Sequence, residues 1–366
     1  MHALIGAAQS GRFATQMQRS QESTAESLVA DAPTLSVVLP NYNHGKLISR
    51  AVTALLAQER VPDEIVIIDD GSTDDSLGVI EALAARSANI RLITNRTNQG
   101  ATAALASGLA ACRGRYVYFA AADDWVLPGF FSTALPVLER HPDAGLVCGE
   151  SNLVAGGTGE PIGVRPAVRP SNRTQYFSPA MTAALLKRAD NWILTGSAVF
   201  VRERAVAAGG FASDLGSFAD GYLGRKVALT HGFCFVPRVM ATWQVFDDSL
   251  SRETAADPVE AQRVMENAVR HFSQDAAFPD WYGDLFRRRL QFGIARLAVS
   301  TRPMNQAILA QAAMRGAADR MLLSAAAHLP ALRPLLLGWL WLRFWPMNPL
   351  LVLRSAMWRY FAGASS

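Results

Sequence analysis

Between residues 35 and 121, four short apolar runs alternate with longer segments whose apolar residues fall three and four apart. The runs, 35–39, 65–68, 90–94 and 115–121, are too short for helices and rich in β-favouring residues, so they read as buried strands. Between them, Leu47, Ile48, Ala51, Val52, Leu55 and Leu56 form one helical stripe, and Leu77, Ile80, Leu83 and Ala84 form another. An Ala-rich helix runs from Gly100 to about Ala111. This alternation predicts an α/β fold, a doubly wound and mostly parallel sheet with helices on both faces. Right-handed crossovers put every strand's carboxyl end on one edge, the edge where open α/β sheets bind ligands.

Four polar groups should therefore converge there: Pro40-Asn41-Tyr42-Asn43, Asp69-Asp70-Gly71-Ser72-Thr73-Asp74, Asn98-Gln99-Gly100 and Asp123-Asp124. Asp-Asp after a strand is often only a turn or a helix cap. The convergence of four loops favours a site. Two hard oxygen ligands suit Mg²⁺ or Mn²⁺, an ion that commonly accompanies a diphosphate. A carboxylate ending the second strand can accept the imide N–H of uracil or thymine, or equally guanine N–H groups. Tyr42 can lie against the base or its ribose, and the 71–73 turn can cap a helix or touch the ligand. No Gly-x-Gly-x-x-Gly and no Gly-Lys-Ser/Thr phosphate loop is present, which removes the main support for dinucleotide redox chemistry and P-loop hydrolysis.

With these four motifs in this order and spacing, residues 35 to about 251 resemble a family 2 glycosyltransferase with the GT-A fold, of the bacterial envelope or exopolysaccharide type. The resemblance implies a nucleotide-diphosphate-sugar donor (a UDP-sugar favoured), a divalent cation, Mg²⁺ or Mn²⁺, and inversion at the anomeric carbon. Matched position by position, Asp70 resembles the residue that recognises the base, and Pro40, Tyr42 and Asn43 the turn beneath the nucleotide. Asn98 and Gly100 belong to the same nucleotide site, Asp123 matches the carboxylate near the ribose, and Asp124 matches the metal ligand. Many relatives have Asp where this chain has Ala121, a departure that leaves a metal fewer protein ligands.

The resemblance divides residues 34–255 into a nucleotide-binding half, 34–128, and an acceptor half, 129–255. Residues 150–178, rich in Gly, Pro, Arg and Asn, read as a mobile loop over the site. A helical piece to about Ala189, a strand over 195–201, a helix to Thr230 and a strand near 233–236 follow. In the family a Gly-Gly-Phe turn precedes an acidic pair whose last member is the general base. Here Gly209-Gly210-Phe211 precedes Ala219-Asp220, which makes Asp220 the catalytic candidate, with helix capping as its plainer role. Asp214 is a candidate acceptor contact. A second departure lies at Trp243-Gln244-Val245-Phe246, where relatives carry Arg and His before Ser-x-Ser. Without that His, either Arg252 substitutes or the contact is absent; His231 and His271 read as structural or surface residues.

Composition bounds the rest. Cys112, Cys148 and Cys234 are odd in number and far apart, which fits a reducing compartment better than a disulfide framework or a zinc cluster. Residues 1–33 lack periodicity and read as a loosely ordered lead-in without a secretory signal. The net charge of +4 hides an asymmetry: residues 281–366 carry eleven Arg against Asp284 and Asp319, leaving the rest of the chain negative. The region 256–366 reads as helical, basic and Trp-rich, cut by Arg and Pro into pieces too short to span a bilayer. It suits either attachment to a membrane surface or packing on the catalytic domain. The expected location is cytoplasmic, peripheral on the inner face of the cell membrane, with a glycan or lipid-linked acceptor and no nucleic-acid partner. Two other classes stay open at this level: a non-catalytic nucleotide-sugar-binding protein, and a sugar nucleotidyltransferase, whose Gly-rich loop after strand one residues 41–46 match poorly.

Overall fold

The computed structural model describes residues 35–246, 257–300, 303–313 and 316–363. The lead-in over 1–33 and the Ser249–Ser251 and Arg252 stretch lie outside the described residues. The four expected strands are β1 (Leu35–Asn41), β2 (Glu64–Asp69), β3 (Ile90–Thr94) and β4 (Tyr116–Phe119), and they run parallel in the order β3-β2-β1-β4. Helices α1 (Gly45–Leu56), α2 (Ser76–Ala84) and α3 (Ala101–Ala111) connect them. Side-chain parity builds two cores. Val38, Val66, Ile68, Val117 and Phe119 face α3 on one side, and Val37, Leu39, Ile65, Ile67, Tyr116 and Tyr118 face α1 and α2 on the other. Gly108 lets α3 press onto the sheet, for a Cβ there would overlap the Val38 and Ile68 side chains.

Beyond β4 the sheet becomes mixed. After β5 (Trp125–Val126) and α4 (Phe130–Arg140) come β6 (Leu146–Ala155), β7 (Pro161–Arg165), β8 (Gln175–Phe177), α5 (Pro179–Arg188), β9 (Ala198–Val201) and α6 (Arg202–Ala207). A 3₁₀ turn at Ser213–Phe218 leads into α7 (Ala219–His231) and the long β10 (Phe233–Val245). Strand β9 pairs antiparallel with both β4 and β6, while β10 runs parallel to β6 and antiparallel to β5 and β8. Parallel pairing thus joins strands β1 to β4, whereas the later strands mix the parallel β6–β10 pair with antiparallel pairings. The expected strand over 195–201 begins three residues late, after a 3₁₀ turn at Thr195–Ser197.

The reading of 150–178 as a mobile loop is corrected. The segment carries the end of β6, all of β7 and β8, and a buried ion cluster. Glu150, 1% exposed, accepts from Arg169 and from Arg359 far along the chain, and the Arg169 N–H donates to Ser355 Oγ at 2.9 Å. Strand pairing and this buried cluster fix much of the segment in place, although Thr158, Glu160 and residues 172–174 stay exposed.

The C-terminal helices are α8 (Pro258–Gln274), α9 (Tyr282–Ser300), α10 (Gln306–Ala313), α11 (Ala317–His328), α12 (Arg333–Phe344) and α13 (Pro349–Gly363). Phe272, Phe278, Tyr282 and Phe286 join the core under α7, so α8 and the start of α9 pack into the catalytic domain. From Phe292 onward a separate core forms from α9 to α12, with Ala295, Leu309, Leu336 and Leu340 fully buried. Among the described residues no helix is long and apolar enough to cross a membrane.

Candidate active site

The first two motifs fuse into one shelf at the carboxyl ends of β1 and β2. Asn41 Nδ2 donates to Asp69 Oδ1 at 2.9 Å, and Ser72 Oγ donates to the same oxygen at 2.6 Å. Asn43 turns the chain with a left-handed φ of 56°, a conformation Asn tolerates better than most residues. In that pose its side-chain oxygen accepts the N–H groups of Thr73 and Asp74 at 2.8 and 3.3 Å, and its own N–H meets Ser72 Oγ. Gly45, which opens α1, donates to Asp74 Oδ2. Pro40 sits in register with Ile68 at the strand ends, and Tyr42 is exposed on the rim, free of the core.

The third motif is built onto this shelf by Asp70. That carboxylate, 2% exposed, accepts from the Gln99 and Gly100 N–H groups and from Asn95 Nδ2. Gly71 makes the approach possible: at φ +73° its Cα faces Thr97 and Asn98, and a Cβ would stand 2.8 Å from the Thr97 carbonyl carbon. Asn98 Oδ1 caps the Gly100 N–H at 2.8 Å as α3 begins. Asp70 therefore shapes the 95–100 loop, a role the sequence did not reveal. Thr102, on the first turn of α3, bonds the Gly216 carbonyl and ties this loop to the 213–218 turn.

The acid pair follows β4, next to β1 in the sheet. Gln244 on β10 holds both members: its N–H donates to Asp124 Oδ1 at 2.8 Å, and its side-chain amide donates to the Asp123 carbonyl at 2.6 Å. Arg50, from the second turn of α1, donates to that same carbonyl at 3.1 Å while its guanidinium lies 3.8 Å over the Trp125 ring. Burial pushes the Asp124 carboxyl well above the usual range, and the neighbouring Asp123 charge adds to it. Asp123 is also raised by burial, against the pull of His44 and Arg50. On the other side Gly196 leaves Asp124 Oδ2 uncrowded, since a Cβ there would stop 3.9 Å away.

Among the described residues no three His, Cys, Asp or Glu side chains gather into a cage for an ion. The donor set still fits Mg²⁺ or Mn²⁺, which are usually held by one or two carboxylates together with substrate phosphates. Two adjoining acids, both pushed toward the neutral form, would be stabilised as carboxylates by a bound cation.

Farther along the chain, Asp220 lies in the first turn of α7, where Phe218 is the N-cap and makes no side-chain cap. Its Oδ1 accepts the N–H of Gly221 at 2.6 Å. Helix α7 packs beside the turn that carries Gly196: a Cβ on Gly224 would stand 2.9 Å from Ile193. Asp214 faces α8 instead, accepting from His271 Nε2 at 3.0 Å and from Arg270 at 3.1 Å. His271 is thus structural, as expected, and Asp214 is its partner. Phe246, at the end of the departing 243–246 stretch, covers Gly156 with its ring.

The structure thus links Asn43 to residues 72–74 and Asp70 to Asn98's neighbours Gln99 and Gly100 by direct bonds, with Pro40 in the adjacent strand register, and sets Asp123 and Asp124 in the turn after β4. Gln244, Arg50 and Gly196 were missed in the sequence. Gln244 lies in the 243–246 stretch that departs from the family pattern, whereas Arg50 carried no signal.

Residues 36–203 match the family model described as glycosyl transferase family 2. An uncharacterized protein of Mycobacterium tuberculosis is 30% identical over 247 residues, 64% of this chain and 70% of the relative. Other curated relatives, several named as glycosyltransferases, match over stretches spanning 22% to 38% of their own lengths. Among solved structures, Staphylococcus aureus TarS (residues 1–349) with UDP-GlcNAc superposes with a TM-score of 0.58 at 17% identity, covering 83% of this chain and 86% of that one. The mannosyltransferase PcManGT of Pyrobaculum calidifontis, with GDP-Man and Mn²⁺, gives 0.54 at 21% identity, covering 89% and 86%. The fold is GT-A, and the chain belongs to glycosyltransferase family 2.

Proposed function

We propose that this enzyme moves a sugar from a nucleotide-diphosphate donor, a UDP-sugar by preference, to a hydroxyl of a glycan or lipid-linked acceptor, inverting the anomeric carbon. The acceptor is presented at the cytoplasmic face of the cell membrane, in envelope or exopolysaccharide synthesis. The observation that carries the reading is the acid pair, fixed by Gln244 and Arg50 beside the shelf of residues 40–43, 69–74 and 98–100. Nucleotide sugars bound to both structural neighbours support a donor of this class.

Pro40, Tyr42, Asn43, Asp70, Asn98 and Gly100 form the nucleotide side of the site, and Asp123 stands nearest the ribose. Asp124, with Asp123 beside it, would hold Mg²⁺ or Mn²⁺; the ion supplies positive charge against the departing diphosphate. Asp220 takes the proton of the acceptor hydroxyl as that oxygen bonds the anomeric carbon and the bond to the diphosphate breaks. Asp214 borders the acceptor side, held by its pairing with α8.

Thermal-shift screening of nucleotide sugars with Mn²⁺ tests the donor, because binding to the native state adds stability. The Asp124→Ala and Asp220→Ala variants test the roles. Both should lose turnover, while only Asp124→Ala should greatly weaken donor binding. Normal turnover by both would overturn the assignment.

A further inference from the structure

The last helices turn apolar side chains outward as well as inward. On α12, Leu336, Leu340 and Phe344 are buried, while Leu335, Trp339 and Leu342 on the opposite side are exposed. On α13, Leu350, Leu353, Met357 and Tyr360 recur every three or four residues and are 49% to 75% exposed. More than half of the exposed large apolar side chains among the described residues fall between Met321 and Tyr360. A contiguous stripe of this kind marks an interaction surface rather than ordinary scatter.

Between α11 and α12 the stripe opens into a groove of about 710 Å³, walled by Leu322, Pro334, Leu335, Trp339 and Leu342. A second hollow of about 570 Å³ adjoins it through Trp339 and Leu342 and ends on Arg343. Asp319 at that mouth is buried, pairs with Arg343 and accepts the Trp339 indole N–H at 2.9 Å. Past Asp319 the sequence has no acidic residue and five arginines, at 320, 333, 343, 354 and 359. Arg320 and Arg354 are exposed, the latter over the Trp358 ring at 4.7 Å.

A second copy of the chain is a poor occupant. A two-fold pairing would set this face against itself, arginine toward arginine, since its acid Asp319 is already buried against Arg343. An anionic bilayer offers what the face lacks, phosphates at the level of the arginines and hydrocarbon beneath for leucine and tryptophan.

We infer that the outer face of α11 to α13 docks on an anionic lipid bilayer, with the groove receiving an acyl chain and Arg320 and Arg354 meeting lipid phosphates. This deepens the proposed membrane-presented acceptor and rests on it. Among the described residues no helix can span, so the attachment is interfacial.

Flotation of the full chain with vesicles tests it. Binding is expected to phosphatidylcholine vesicles carrying phosphatidylglycerol, weaker at high salt, and much less to phosphatidylcholine alone. Leu342→Glu with Leu350→Glu should lower binding by more than about tenfold, since one buried leucine is worth roughly an order of magnitude or more. Its melting temperature should match the parent's, because both leucines are exposed. Arg320→Glu with Arg354→Glu should remove the preference for anionic vesicles. Absence of binding by the parent chain, or equal flotation of the leucine variant, overturns the inference. So does light scattering that shows a dimer split by the leucine variant. Donor-induced thermal shifts without vesicles report on the catalytic reading alone, which keeps the two failures distinct.

Discussion

Gln244 donates its main-chain N–H to Asp124 Oδ1 at 2.8 Å and its side-chain amide to the carbonyl of Asp123 at 2.6 Å, so one residue of the last strand grips both members of the acid pair. Gln244 is 5% exposed, and its geometry is fixed by the β10–β6 pairing on either side. Groups that orient a metal-binding carboxylate commonly govern affinity by one to two orders of magnitude when removed. Gln244→Leu keeps the main-chain bond and the bulk but cannot hold the Asp123 carbonyl. Mn²⁺ affinity, read by calorimetry without donor, should fall about tenfold. Unchanged affinity would mean that the backbone bond alone orients Asp124.

Asp70 is the keystone of the shelf formed by the β1 and β2 ends and the 95–100 loop. Its carboxylate accepts two main-chain N–H groups and one amide in a site almost closed to water. Asp70→Asn turns one acceptor into a donor facing other donors. The expected cost is about 1–3 kcal/mol in stability, read by urea unfolding. Weaker donor binding should accompany it, because the 98–100 loop loses its anchor. A variant as stable as the parent would show that the loop is held elsewhere.

How much of this was legible follows from the range of each interaction. The first four strands and their helices come from local periodicity, and Val37/Val38 or Ile67/Ile68 divide between two cores as the strand period requires. The turn at Asn43 is also local. Glu150, by contrast, is satisfied by Arg359, 209 residues away, and the loop expectation for 150–178 failed because its polar residues found distant partners. The grip on Asp124 escaped notice for another reason: it is made by a main-chain N–H, which every residue but proline carries.

A buried ion cluster fastens α7, the helix that carries Asp220, to the C-terminal region. Asp190, 4% exposed at its side chain, accepts from Arg225 Nε on α7 at 2.8 Å and from the Tyr282 hydroxyl on α9 at 2.6 Å. Asp190→Ala would leave the Arg225 guanidinium buried without its carboxylate. Loss of one partner of such a pair costs about 3–5 kcal/mol. Tyr282→Phe removes only a hydrogen bond and should cost less, about 1–3 kcal/mol. Urea unfolding of the two variants should rank them in that order, and the reverse order would place the anchor at Tyr282.

Acid should loosen α8 before the sheet gives way. Asp275, just after α8, meets Lys226 at 2.7 Å, the Tyr222 hydroxyl at 2.7 Å and the Ala277 N–H at 3.0 Å. Partial burial alone would raise its carboxyl, but these bonds hold it below the usual range. Asp214 is likewise held down by His271 and Arg270 despite some burial. A carboxyl lowered in the folded state binds fewer protons there than in the unfolded chain, so its stabilisation is present above the unfolded value, about pH 4, and fades as pH falls through the lower folded value. Asp275→Asn should therefore be less stable than the parent at pH 7, and the two should converge as the pH drops below about 4. Urea midpoints measured across that range decide it. A gap that stays constant with pH would mean that Asp275 acts through shape and hydrogen bonding rather than charge. Because Asp275 bonds Tyr222 and Lys226 on α7, the same acid titration should disturb the setting of Asp220 while leaving the β1–β4 sheet, which uses neither contact, intact.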